Sequence, residues 1–305
     1  MKKLAVFILT LLLLLNITAC DNNLPAEEED KSNDIVILFT SDVHGAIDSG
    51  WTYSGIDVLR RQLIAKGCKV ILVDNGDAIQ GEILATMTSG SAVIELMNAL
   101  GYDIATIGNH EFDYGMDRFL ELAEMADFPY ISCNFNKMGS LVFEPYIIKN
   151  VGGTKIAFVG ITTPWTLKSS TPAYFMDNNG SYVYGFMQGD EGRNLYNAVQ
   201  KAVDDARAEG AKYVIAMAHL GNVAEHSPYT YADVLANTSG IDVLVDGHSH
   251  DLDQVKMKNK EGKDVLRSAC GTKLEAIGYV RITPDGTITT GLYKWDNEEN
   301  AVELL

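Results

Sequence analysis

The sequence predicts an α/β domain, on three observations. Short apolar runs rich in Val and Ile recur along the chain, amphipathic stretches separate them, and polar residues gather just after each run. The runs 35–39, 70–73, 104–107, 156–161, 213–218 and 243–245 read as strands, each too short for a helix. Between Gly192 and Glu209, the residues Leu195, Ala198, Val199, Ala202, Val203 and Ala206 make the stripe that a helix lays on a sheet. Ile56, Leu59 and Leu63 make a shorter one. After Gly247 the pattern turns to strand-like segments joined by turns, such as Pro284-Asp285-Gly286, so the tail is expected to be mostly antiparallel. No internal repeat or long linker interrupts residues 34–305, which are read as one domain. The least regular stretch, Pro164 to Gly189, carries Trp165, Tyr174, Phe175, Tyr182, Tyr184 and Phe186. It is expected to be a surface excursion that buries its own aromatics, with a substrate-facing loop as the alternative.

The first residues read as an address. Lys2 and Lys3 precede an apolar run from Leu4 to Leu15, which is short of the ~20 residues a bilayer span requires. Ile17-Thr18-Ala19-Cys20 resembles the lipobox of bacterial lipoproteins. That resemblance implies removal of residues 1–19, acylation of Cys20, and a lipid-anchored protein on the extracytoplasmic side of a bacterial membrane. An ordinary signal peptide ending near Ala19 is the alternative, and it too means export. Residues 20–33, with Glu27-Glu28-Glu29-Asp30, have no face to bury and read as a flexible tether.

Composition narrows the partners. Hydrophobic residues make up 47% of the chain, enough for a sizeable core. Acids outnumber bases 41 to 24, a net charge of −17, so a nucleic-acid polymer is not the expected partner, whereas a cation-binding site is compatible. Beyond Cys20 the cysteines are Cys68, Cys133 and Cys270, widely spaced and without a CxxC pair. They read as small buried residues rather than as a disulfide framework or a thiolate zinc site.

Chemistry concentrates behind the strands. Asp42 and His44 follow the run 35–39, and Asp77 follows 70–73. Asn109 and His110 follow 104–107, His219 follows 213–218, and His248 and His250 follow 243–245. Strand ends of an α/β sheet converge on one edge, where sites are built. Any one of these signals is weak, because a lone Asp-x-His is usually a solvated turn. Seven oxygen and nitrogen donors in such places are what two divalent cations require.

At these positions the chain resembles the calcineurin-like metallophosphoesterases, and specifically the catalytic domain of the 5'-nucleotidase family. The blocks are Ser41-Asp42-Val43-His44-Gly45, Asn75-Gly76-Asp77, Gly108-Asn109-His110-Glu111-Phe112-Asp113, Ala218-His219-Leu220-Gly221 and Gly247-His248-Ser249-His250, within about residues 35–295. The resemblance implies a four-layer α/β/β/α sandwich of mixed sheets with helices on the outer faces. It implies that Asp42, His44 and His250 hold one divalent ion (zinc, manganese or iron), that Asn109, His219 and His248 hold another, and that Asp77 bridges them. Ions ~3.5–4 Å apart acidify a water that attacks phosphorus in line. His110 is implied as proton donor or transition-state stabiliser, oriented by Asp113, although an acid at that spacing is also an ordinary helix-start residue. The implied substrates are nucleoside 5'-monophosphates, with 2',3'-cyclic nucleotides or nucleotide sugars as the alternative. A non-catalytic metal- or ligand-binding lipoprotein is the rival of another class; its mark would be a missing ligand or a missing His110. Family members continue into a second domain with an aromatic clamp and arginines, whereas this sequence stops at Leu305; the resemblance leaves open a substrate domain on a separate chain, a sequence that is part of a longer one, and an enzyme that works without that domain. Glu111 is expected to be structural, and His226, in a polar loop with Glu225 and Ser227, solvent-exposed.

Overall fold

A computed structural model describes residues 33–295; the leader, Cys20 and the tether up to residue 32 lie outside the described residues, as do residues 296–305. Strand β1 (Ile35–Thr40) is followed by helix α1 (Thr52–Ala65) and β2 (Lys69–Asp74). Helices α2 (Ile83–Thr88) and α3 (Ser91–Leu100) then lead to β3 (Ile104–Thr106), and α4 (Met116–Met125) to β4 (Tyr130–Ile131). Short strands β5 (Asn136–Lys137) and β6 (Ser140–Leu141) precede the hairpin of β7 (Tyr146–Val151) and β8 (Thr154–Thr162). Then come α5 (Thr166–Ser169), β9 (Tyr184–Gly185), α6 (Arg193–Ala208), β10 (Tyr213–His219), α7 (Tyr231–Asn237) and β11 (Val243–Asp246). Four longer strands close the chain: β12 (Leu252–Lys258), β13 (Asp264–Cys270), β14 (Ala276–Ile282) and β15 (Ile288–Lys294).

These strands form two mixed six-stranded sheets, in the orders β15-β14-β1-β2-β3-β4 and β12-β13-β11-β10-β8-β7, and a small three-stranded sheet β6-β5-β9. Alternation along each strand divides its side chains between two cores. In β1, Ile35, Ile37 and Phe39 enter the layer between the sheets with Ile215 and Met217 of β10, while Val36 and Leu38 face Ile56 and Leu59 of α1. In the second sheet Val159 and Val214 face Leu195, Val199 and Val203 of α6. Both faces of each sheet are therefore covered, and the molecule is a four-layer α/β/β/α sandwich. Burial on both faces is also why the parallel strands read as unbroken apolar runs.

Parallel pairing of β1 to β4, and of β8, β10 and β11, sends their carboxyl ends toward loops that carry the polar residues. The tail is antiparallel at β12–β13 and β14–β15. It departs from the expectation at β13, which also pairs in parallel with β11 and so widens the second sheet. The stretch from Pro164 to Gly189 likewise differs from a self-contained excursion. Phe175 and Phe186 leave it for the main core, 5.1 and 5.7 Å from Phe112, while Tyr182 stays 51% exposed. Cys68, Cys133 and Cys270 are buried and form no disulfide with one another.

Candidate active site

Each predicted site residue except Cys20, which lies outside the described residues, falls at or just past the carboxyl end of a parallel strand in one of the two large sheets, His219 being the last residue of β10. Their backbone is unusual. Asp42, His44, Asp77, His248 and His250 have φ between 50° and 78°, the left-handed region that side chains with a Cβ seldom adopt. Such conformations cost about 1–3 kcal/mol each and persist where surrounding structure over-determines them. Here the determinants are visible. The Glu111 carboxylate, 1% exposed, accepts the backbone N–H groups of Asp77 (2.8 Å), Ala78 (2.9 Å) and Gly108 (2.7 Å), tying the β2 loop to the β3 loop. Glu111 is thus structural, as its sequence context suggested. Asp42 accepts the backbone N–H of His248 at 3.0 Å, joining the first sheet's loops to the second's.

The donors collect into two groups, Asp42 with His44 and His250, and Asp77 with His219 and His248, each with one candidate atom per residue inside a 4.8 Å span. His44 Nε2 and His250 Nε2 are 3.2 Å apart, and His250 Nε2 is 3.5 Å from Asp42 Oδ1. His219 Nε2 lies 3.0 Å from Asp77 Oδ2 and 3.9 Å from Asp42 Oδ1, so the two groups adjoin. His219 Nδ1 donates to the Asn75 carbonyl at 2.8 Å, and His44 Nδ1 faces the Gln80 carbonyl at 3.3 Å. Those bonds leave the Nε2 lone pairs facing inward.

Whether the residues suit cations is answered by what is left unpaired. Of the candidate ligands, Asn109 Oδ1 is buried without a hydrogen bond, while His219 Nε2 has only the Asp77 carboxylate beside it. Such orphans are costly unless something else binds them. Asp42, Asp74, Asp77 and Glu111 add four carboxylates, each at most 1% exposed. Burial pushes Asp42, Asp74 and Glu111 up to about 7. Burial pushes Asp77 upward too, but the positive field and hydrogen bond of His219, with His110 and His44, hold it well below the carboxylate range. Burial lowers His44, His248 and His250. Burial also opposes the charge on His219, yet Asp77 and Asp42 raise it to about 10. Crowded carboxylates beside neutral imidazoles and an orphan amide oxygen match the donor chemistry of divalent metals.

His110 stands one residue past Asn109. Its backbone N–H donates to Asp77 Oδ1 at 2.7 Å, and its Nδ1 lies 2.6 Å from Asp113 Oδ2. That bond raises His110 to about 9 against the opposing effect of burial, so the ring is a cation at neutral pH. With Nδ1 engaged, Nε2 is the atom free to face a substrate.

Three residues escaped the sequence reading. Ser170 Oγ donates to the Asn109 carbonyl at 2.6 Å. Arg267, fully buried on β13, pairs with Asp246 (2.9 Å), Asp251 (2.8 Å) and Asp253. Asp246 accepts from Leu220 N at 3.0 Å, so this cluster anchors the His219 loop as well as the loop that follows His250. His226 is the third, and the expectation of exposure is corrected: it is 9% exposed, because its loop folds back over the end of β11. Its ring stacks on Trp165 at 4.2 Å, and its Nδ1 lies 3.2 Å from His248 Nε2.

Residues 35–252 match the family model described as calcineurin-like phosphoesterase. The chain is 32% identical over 239 residues to a snake venom 5'-nucleotidase of Gloydius brevicauda, covering 72% of this chain and 37% of that one. It is 30% identical over 275 residues to a 2',3'-cyclic-nucleotide 2'-phosphodiesterase/3'-nucleotidase of Haemophilus influenzae, covering 78% and 39%. Among solved structures, a 5'-nucleotidase precursor from Thermus thermophilus superposes with a TM-score of 0.70 at 24% identity, covering 88% of this chain and 57% of that one. The chain thus spans less than half the length of these two curated relatives.

Proposed function

Because the chain belongs to the calcineurin-like phosphoesterase family, we propose that its paired donor groups hold two divalent cations and hydrolyse phosphate monoesters, nucleoside 5'-monophosphates first among them. The observation that carries the reading is the pairing of two three-residue donor groups around Asp77 and Asp42 with the orphaned Asn109 Oδ1 beside them. Asp42, His44 and His250 hold one cation, Asn109, His219 and His248 the other, and Asp77 is shared. When bound, such a pair supplies Lewis acidity toward phosphoryl oxygens and an acidified water. The protein's own residues do the rest. Glu111 and Asp42 fix the loops, and Asp113 holds His110 protonated with Nε2 toward the leaving oxygen, so that the alkoxide departs as an alcohol.

The H. influenzae relative keeps 2',3'-cyclic nucleotides as a second reading, with nucleotide sugars after them. Turnover on a panel of 5'-monophosphates, cyclic nucleotides and nucleotide sugars separates the substrates. Asp77→Ala tests the site: both cations and nearly all activity should go, and an Asp77→Ala protein with two metals and full turnover would refute the assignment. The signal-like start and the Ile17-Thr18-Ala19-Cys20 tetrad support export with Cys20 acylated. Mass spectrometry of the membrane fraction should find a lipid-modified Cys20; a free N-terminus downstream of it would rule this out.

A further inference from the structure

From the geometry around His226 we infer that this residue is a positioning residue for His248: its Nδ1 accepts the His248 Nε2 proton, so that His248 turns its Nδ1 lone pair to a cation. The inference rests on the reading of His248 as a metal ligand. His219 and His44 place Nδ1 on backbone carbonyls and keep Nε2 for the site. His248 is the other way round: the atom 3.2 Å from His226 Nδ1 is Nε2, which leaves Nδ1 as the nitrogen not engaged with His226. A ligating histidine commonly gives its second N–H to a carboxylate, a carbonyl or water, which sets its tautomer and basicity. Here a second imidazole takes that place, and an imidazole can do so only if its own ring is held.

The ring is held by a column of side chains. One face of His226 lies against Trp165 at 4.2 Å and 28°, and Lys168 Nζ lies 4.1 Å from the centre of the Trp165 ring. The His226 and His248 rings are 5.0 Å apart. Trp165 comes from the loop after β8, His226 from the loop after β10, and His248 from the loop after β11, so one column joins three strand ends of the second sheet. This gives the polar loop around Glu225 and the aromatic start of the 164–189 stretch a shared role that neither suggests alone. It bears on one cation and not the other, because Asp42, His44 and His250 make no contact with Trp165 or His226 among the described hydrogen bonds and ring pairs, and Asp42 meets His248 only at its backbone N–H.

The test is a metal titration of purified protein, stripped and reloaded with Zn²⁺ or Mn²⁺ against a competing chelator. His226→Phe keeps the stack and removes the acceptor. It should weaken one of the two binding steps by ~10–100-fold, the usual effect of losing a ligand's outer partner, and leave the other within about threefold. His226→Gln, which restores an acceptor, should recover part of the loss, and the melting temperature of the metal-free protein should not follow the affinity. Nitrogen NMR of the metal-free wild type should find His248 protonated on Nε2. Unchanged affinity for both metals in His226→Phe, or His248 protonated on Nδ1 in the wild type, overturns the inference. His248→Ala separates the two levels: if it keeps both metals, the ligand assignment falls and this inference with it, whereas loss of one metal in His248→Ala beside full affinity in His226→Phe defeats only the role of His226.

Discussion

Gly108→Ala would test the site with one methyl group. Gly108 has no positive φ, so alanine suits its backbone; what it lacks is room. A Cβ there would stand 2.2 Å from Asp77 Oδ1, 2.6 Å from Asp77 N and 2.8 Å from Asp77 Cγ, where ordinary contact begins at 3.4 Å. The carboxylate must therefore retreat by about 1.2 Å, or the β2 and β3 loops must part by as much. Retreat of the side chain cannot clear the Asp77 backbone nitrogen at 2.6 Å, so the loops that the Glu111 carboxylate clamps must also part by about 0.8 Å, and both movements carry the Asp77 carboxylate away from its place. Carboxylate–metal bonds of ~2.0–2.2 Å tolerate ~0.2 Å, and a shift six times larger removes a shared ligand. Metal content by elemental analysis should fall below two per chain, and turnover of a nucleoside monophosphate by ~10²-fold or more, since a misplacement of ~1 Å near the chemistry costs about that much. Overpacking should lower stability by only ~1–3 kcal/mol. Gly160→Ala is the control: its Cβ would press to 2.3 Å on the Ile131 carbonyl, with comparable strain but no ligand among its nearest neighbours, and it should keep both metals. Two metals and turnover within about threefold of wild type in Gly108→Ala would show that Asp77 is not the shared ligand.

His110→Ala should slow nucleoside monophosphate hydrolysis by ~10²–10⁴-fold, with a distinctly smaller loss on p-nitrophenyl phosphate, whose leaving group needs no proton, and with metal content unchanged; Asp113→Ala should give a weaker form of the same pattern. Equal losses on the two esters would mean that His110 stabilises charge instead of donating a proton. Arg267→Met strands buried Asp246 beside Asp251 and Asp253 and should cost ~3–5 kcal/mol in urea unfolding of the metal-free protein, part of it recovered by the added change Asp246→Asn.

How far the sequence discloses this molecule follows from burial. Strands covered on both faces announce themselves as apolar runs, and all six runs became strands of the two large sheets. The α6 stripe was equally legible, because one face packs and the other is wet. Missed were α3 and α4, whose buried Val93, Ile94 and Met97, and Phe119 and Leu122, lie in short helices without side-chain caps to mark their starts. β7 was missed because its residues are half-buried on an edge and show neither a run nor an alternation. Pairing between distant strands, such as β13 beside β11, leaves no local trace at all.

The site was more legible than its supports, for a reason built into how the supports work. Side-chain donors to a divalent cation come from a short list of residue types, Asp, Asn and His among them, and strand ends are where sites are built, so type and place together pick the candidates out. A support acts through a carbonyl, an acceptor or a guanidinium that any helix or strand can carry, and it is recognised only when its partner is known. Glu111 reads as structural from its place beside Asn109 and His110, but that its two oxygens take three backbone N–H groups from two loops leaves no mark in the sequence. Arg267 sits in a strand where a charge is unexpected, and its three carboxylates come from positions 14 to 21 residues away. One support did carry a signal: Trp165 follows the run 156–161 as the predicted ligands follow theirs, and the strand-end rule applied to that run would have brought it, and the histidine stacked on it, to the site. Five left-handed candidate ligands depend on these supports, and at about 1–3 kcal/mol apiece their strain exceeds what any one hydrogen bond returns. The donor geometry is therefore a property of the buried network, and substitutions in that network should reach the metals before they reach the fold.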